Sequence, residues 1–154
     1  MSKQIQIIKG LRSFLLNQVN NLTSEQLNTV PAGFNNNIIW NMGHLLCSAQ
    51  IICYKRAGVP LSLDDKFVTP FLPNSKPEKI FSNEEIKTIK ELFISTIDIL
   101  QSDYKNRLFN NYTKSENIER YYGIELLTIE DALDFLLYHE GFHSGRITAL
   151  KKLV

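Results

Sequence analysis

The stretch Leu133-Asp134-Phe135-Leu136-Leu137-Tyr138-His139-Glu140-Gly141-Phe142-His143-Ser144-Gly145-Arg146-Ile147 decides how this chain is read. With its flanks, it places Ile129, Ala132, Leu133, Leu136, His139, His143, Ile147 and Leu150 three or four residues apart, on one face of a helix that starts at Thr128. Lys151 and Lys152 suit its end, where cations meet the negative pole of the helix dipole. An otherwise apolar face thus carries two imidazoles one turn apart, a spacing from which both can meet one metal ion.

Three further helical segments precede it. Ile5, Ile8, Leu11, Leu15, Val19 and Leu22 make one stripe, predicting a helix from about Lys3 to Leu22. A second helix starts in Asn35-Asn36-Asn37, any of which can cap it, and runs to Ala57 before Gly58. It is apolar nearly all round, from Ile38 to Ile52, so it is expected to be buried. Ser82 with Glu85 forms a capping box for a third helix, striped by Ile86, Ile89, Phe93, Ile97, Leu100 and Tyr104. The proline-rich segment from Gly58 to Phe81 is long enough to return along a whole helix, so the second and third helices can run parallel. Asn106 to Leu127 reads as either a short helix or an extended piece. The expected fold is all-α: a four-helix bundle, up-down-down-up, with a long crossover between helices 2 and 3, in a single domain over residues 1–154.

Composition narrows the function. Lys and Arg number 17 against 16 Asp and Glu, so no basic surface for nucleic acid is expected. The apolar run Ile38 to Tyr54 is short for a membrane span and is interrupted by Asn41, His44 and Gln50. Cys47 and Cys53 lie about 9 Å apart along one helix, too far to bridge. Met1 to Gln6 shows no signal-peptide pattern. A soluble, reduced, cytoplasmic protein is expected, with neither nucleic acid nor membrane as partner.

The chain has only three histidines, His44, His139 and His143, and all three fall on buried helix faces. Singly, each could be a hydrogen-bonded core residue. Together they form a candidate three-nitrogen metal site, provided the second and fourth helices are neighbours. Gly43, Gly141 and Gly145 sit inside helices beside these histidines, although glycine is unfavourable there. They serve either close packing or open space beside a metal. His139-Glu140-Gly141-Phe142-His143 also fits the H-E-x-x-H pattern of zinc proteases, with the glutamate as general base. That pattern needs a downstream third ligand, and residues 144–154 hold no His, Asp or Glu. Glu140 lies about 100° round the helix from His139, so it is expected to face solvent or to support a ligand from behind.

Two motifs, Trp40-Asn41-Met42-Gly43-His44-Leu45 and His139 through Ile147, resemble the DinB-like (DinB/YfiT) superfamily of metal-binding four-helix bundles. The linker Phe67 to Pro77 and the helix start at Ser82 share the likeness, and helix order and length match over essentially the whole chain. The resemblance implies one divalent ion (zinc, nickel, iron or manganese) held by His44, His139 and His143, and a homodimer. It further implies a small-molecule substrate or low-molecular-weight thiol, with thiol-dependent S-transferase or hydrolase activity; a non-catalytic metal-binding or regulatory bundle is the alternative.

Neighbouring residues have two readings each. Cys47 could be a fourth ligand or core filler. Trp40 could dry the pocket by packing on His44, or be plain core. Asn41 could support a ligand or be an ordinary buried amide, and Arg146 could bind an anion or simply lie in solvent. Tyr54, Tyr121 and Tyr122 take no assigned role.

Overall fold

The computed structural model describes residues 2–154, and no β-strand occurs among them. Helix α1 spans Lys3–Val19, and the short α2, Ser24–Asn28, starts in a capping box between Thr23 and Gln26. Helix α3 spans Ile38–Ala49 and is entirely buried. Asn37, the last of the three asparagines, is its cap: Oδ1 accepts from the Trp40 N–H at 2.8 Å. The helical path continues through a π-turn at Gln50–Tyr54 and a 3₁₀ turn at Lys55–Ala57, ending at Gly58 with φ of 68°. Helix α4 spans Asn83–Lys105 behind the Ser82–Glu85 capping box. The ambiguous segment contains α5, Glu116–Tyr122. Helix α6 spans Ile129–Leu150, with Asp131 completing a capping box to Thr128.

Helix α1 packs on α4 and α6, and α3 packs on the same two. Side-chain bonds give the directions. Gln4 meets Asp134, Arg12 meets Glu140 and Gln18 meets Lys151, so α1 and α6 ascend together. Lys9 meets Asp98 and Arg12 meets Phe93, so α4 runs against α1. Arg12 also bonds the carbonyls of Leu45 and Phe93, while Tyr54 bonds Asp103 about nine residues further along both helices. Helices α3 and α4 therefore run the same way, and the 58–81 linker carries the chain back. On its way it packs Phe71 and Phe81, stacked at 5.5 Å, against α3.

The apolar core is divided. One cluster joins Leu15 and Val19 to Met42, Leu45, Ile86, Phe93, Ile147 and Leu150. The other joins Ile5 and Ile8 to Ala49, Ile52, Ile97, Leu100, Leu133 and Leu136. On every long helix a polar residue falls between the two: Arg12, His44 with Ser48, Thr96, and His139 with Glu140 and His143.

Arg12 is the unexpected member of this layer. The α1 stripe turns Arg12 inward where Leu11 was expected, and Leu11 is only partly buried. All five guanidinium N–H groups find acceptors. Nε and Nη2 donate to Glu140 Oε1 at 2.9 and 2.6 Å, and Nη2 also donates to the Leu45 carbonyl at 2.8 Å. Nη1 donates to the Phe93 carbonyl at 3.3 Å and Thr96 Oγ1 at 3.4 Å. Glu140, expected at the surface or behind a histidine, is instead 1% exposed and turned to α1. The reason is that α6 is covered on two sides: its histidines face α3, and the next residue round faces α1. Burial pushes the Glu140 carboxyl above its ordinary range, with Arg12 pulling the other way.

Removing one partner of such a pair strands the other charge. Arg12→Met is expected to cost about 3–5 kcal/mol in urea unfolding, and the Arg12→Met/Glu140→Met double variant to recover most of it. Additive losses in the double variant would show that the pair does not act as a unit.

The glycines divide as well. A Cβ on Gly43 would lie 2.4 Å from the Phe71 ring, whereas Gly141 and Gly145 have nothing within 4 Å and sit on the outer face of α6. Only Gly43 serves close packing, and against the linker rather than a helix. Gly43→Ala should therefore destabilise by about 1–3 kcal/mol. Gly141→Ala and Gly145→Ala should each stabilise by about 0.5–1 kcal/mol, all three read by thermal or urea denaturation.

Candidate metal centre

His44 comes from the middle of α3, and His139 and His143 from successive turns of α6. The antiparallel packing of these helices brings the three rings into a triangle. Ring centroids are 5.1 Å apart for His44–His139, 4.8 Å for His44–His143 and 4.6 Å for His139–His143. One nitrogen from each lies within 4.8 Å of the others, close enough to converge on one ion with small side-chain adjustments.

Two of the imidazoles are oriented by the protein. His44 Nδ1 is 2.6 Å from the Phe71 carbonyl. A carbonyl can only accept, so Nδ1 carries the proton and Nε2 keeps its lone pair. His143 Nδ1 is 2.8 Å from Asn41 Oδ1. The amide orientation of Asn41 is set by its other end, since Nδ2 donates to the Asn37 carbonyl at 2.7 Å and to Asn36 Oδ1 at 3.0 Å. His143 is thereby held in the same tautomer, again with Nε2 free to ligate. His139 differs: its Nδ1 is buried without a hydrogen-bond partner, so no protein acceptor selects its tautomer.

The surroundings are dry. His44 and His143 are buried, and His139 is partly exposed, so approach from outside runs along His139. Trp40 stacks on His44 at 4.9 Å with planes 9° apart and donates from Nε1 to Ser75 Oγ. Desolvation lowers the pKa of all three histidines. His139 falls to about 3, helped by the charges of His44 and Arg12, and His143 to about 2, helped by His139, His44 and Arg146. For His44 the bond to the Phe71 carbonyl partly offsets burial. The set is thus three neutral imidazoles, the protonation state a metal requires. Three such rings packed together without bonds to one another fit a shared cation better than an empty core position.

Other candidates fall outside this group. Cys47 is not among the converging donors; it is buried in the apolar core, and burial pushes its thiol up to about 12. Tyr54 bonds Asp103, and Arg146 lies exposed over the Phe142 ring at 5.2 Å. Three contributors were missed in the sequence: Arg12, Asn36 and Phe71. Arg12 gave a signal, since it falls in register with Ile8 and Leu15.

A family model for the DinB superfamily matches residues 8–147, and the chain belongs to that superfamily. No curated protein matches it. No described helix is long and apolar enough to cross a membrane.

The lowered pKa values carry a prediction for the metal-free protein. Well above pH 6.5 the histidines are neutral whether folded or unfolded and contribute nothing to pH dependence. Below it the unfolded chain takes up protons that the folded chain refuses, at His139 until about pH 3 and at His143 until about pH 2, with His44 shifted in the same direction. As pH falls, stability should then drop by up to about 1.4 kcal/mol per pH unit for each of His139 and His143, with His44 adding in the same direction. Urea unfolding of chelator-treated protein between pH 7 and 4 reads this slope. A variant with all three histidines changed to glutamine should lose most of it.

Proposed function

We propose that this chain binds one divalent metal ion through His44, His139 and His143, and that the centre serves as a small-molecule enzyme of the transferase or hydrolase type. The observation that carries the reading is the convergence of three neutral imidazoles, two of them held by Phe71 and Asn41 with Nε2 free to ligate. An ion held there supplies a Lewis acid that lowers the pKa of a water or thiol nucleophile. Zinc, nickel, iron and manganese all accept imidazole, so the donor set does not choose among them.

The residues around the centre define what the protein itself contributes. Asn41 and Phe71 orient ligands, and Trp40 excludes water from one side of His44. No carboxylate joins the histidines among the described residues. Glu140, the residue that would act as base in a zinc protease, is held by Arg12 on the side of α6 that faces α1. The chain therefore offers no general base of its own at the centre, and the nucleophile comes from outside, as a low-molecular-weight thiol or water. The same observation favours the second reading, a metal-binding bundle without turnover.

Elemental mass spectrometry on untagged protein tests the site. About one divalent ion per chain is expected, lost in His44→Ala and His139→Ala, with affinity about 10–100-fold weaker in Asn41→Ala. No ion in the wild type, even after reconstitution with each of the four metals, would overturn it. Metal without turnover of thiol or hydrolytic substrates would leave the non-catalytic reading.

A further inference from the structure

A cleft of about 490 Å³ opens between the end of α5 and the first turns of α6. Three aromatic rings form its wall. Tyr122 meets Phe135 edge-on at 5.4 Å, Tyr138 lies 5.8 Å from Phe135, and Tyr122 and Tyr138 are 6.1 Å apart. Both tyrosines are about half exposed although they sit on an apolar cluster (51% and 53%). Phe135 is buried and its other neighbour is His139, with ring centroids 6.4 Å apart. The cleft thus begins one side chain away from the exposed edge of the histidine triangle.

Its charge is one-sided. Glu125, Asp131 and Asp134 line it, and no lysine or arginine does, in a chain whose net charge is only +1. Asp131 is engaged as the α6 cap, accepting from the backbone of Leu127 and Thr128. Glu125 has a distant partner in Lys114 at 3.4 Å. Among the described residues Asp134 meets only the neutral amide of Gln4, and no cation pairs with its charge there. Aromatic faces and unneutralised carboxylates attract the same ligand, a cation carried on an apolar body.

We propose that this cleft holds the substrate of the metal centre, and that the group it recognises is an organic ammonium ion attached to an apolar or aromatic body. The proposal rests on the metal-site reading for the role of the cleft, though not for binding itself. An anionic ligand is disfavoured by the three carboxylates, and a neutral one would leave Asp134 unmatched.

The test is an NMR titration of the full chain with benzylammonium, set against benzyl alcohol and benzoate, which share its ring. Benzylammonium should bind about tenfold or more tighter than either, with shifts at Tyr122, Phe135 and Tyr138. Tyr138→Ala and Asp134→Asn, both at exposed positions, should each weaken it several-fold. In the manganese-loaded protein the probe's resonances should broaden. In His44→Ala binding should persist without that broadening. Equal binding of benzyl alcohol, or indifference to both substitutions, overturns the cation site. Binding without broadening in protein shown to hold manganese at the histidines overturns its link to the centre. Should the wild type hold no metal while benzylammonium still binds through Tyr138 and Asp134, the centre fails, the link to it fails with it, and the cation site stands.

Discussion

A guanidinium placed in the middle of an apolar bundle has to satisfy five N–H donors and one charge without water, and few arrangements of four helices can do so. Arg12 does it by reaching a carboxylate on α6, carbonyls on α3 and α4, and a hydroxyl on α4. Each acceptor sits at a fixed position along its helix. A slide of any helix by one residue would break the set, so this interaction ties the register of the whole bundle. It also divides the core, since the apolar clusters on either side stop at the layer that Arg12 occupies.

The histidines lie in that same layer. Glu140, next to His139, anchors α6 to α1, while Asn41 anchors it to α3 through His143. The placement of the histidine rings is thus set from both sides of α6. The linker adds the third constraint: its Phe71 carbonyl fixes the His44 ring, and its Phe71 side chain occupies the space left by Gly43. A segment that looks like a mere connection in the chain is part of the site. Its 3₁₀ turns and the buried Phe71 and Phe81 hold it there.

Much of this was legible in the residues. The four long helices follow from apolar spacing and capping residues, and α4 starts at the capping box read from Ser82 and Glu85. The histidine triangle follows from an i,i+4 pair and a third histidine on a buried helix. What stayed hidden depended on tertiary partners. The spacing of α1 accommodates Leu11 or Arg12 on its inner edge, and only the carboxylate opposite decides for Arg12. Glu140 reads as peripheral because its angle from His139 is known while the helix covering that side is not. The π-turn at Gln50–Tyr54 has no signal in the apolar pattern; Gln50 is buried there and bonded to Ser62 of the linker. Which asparagine caps α3 was undecidable locally, and Asn36 gained its role only through Asn41.

The proposed centre requires three side-chain nitrogens converging on one ion. An anomalous difference map, recorded from crystals of metal-reconstituted protein at the absorption edge of the metal, tests this most directly. The expected result is one strong peak per chain, about 2.0–2.2 Å from a ring nitrogen of each of His44, His139 and His143. A peak elsewhere, or none between α3 and α6 in reconstituted protein, would contradict the account and leave the three histidines as core residues.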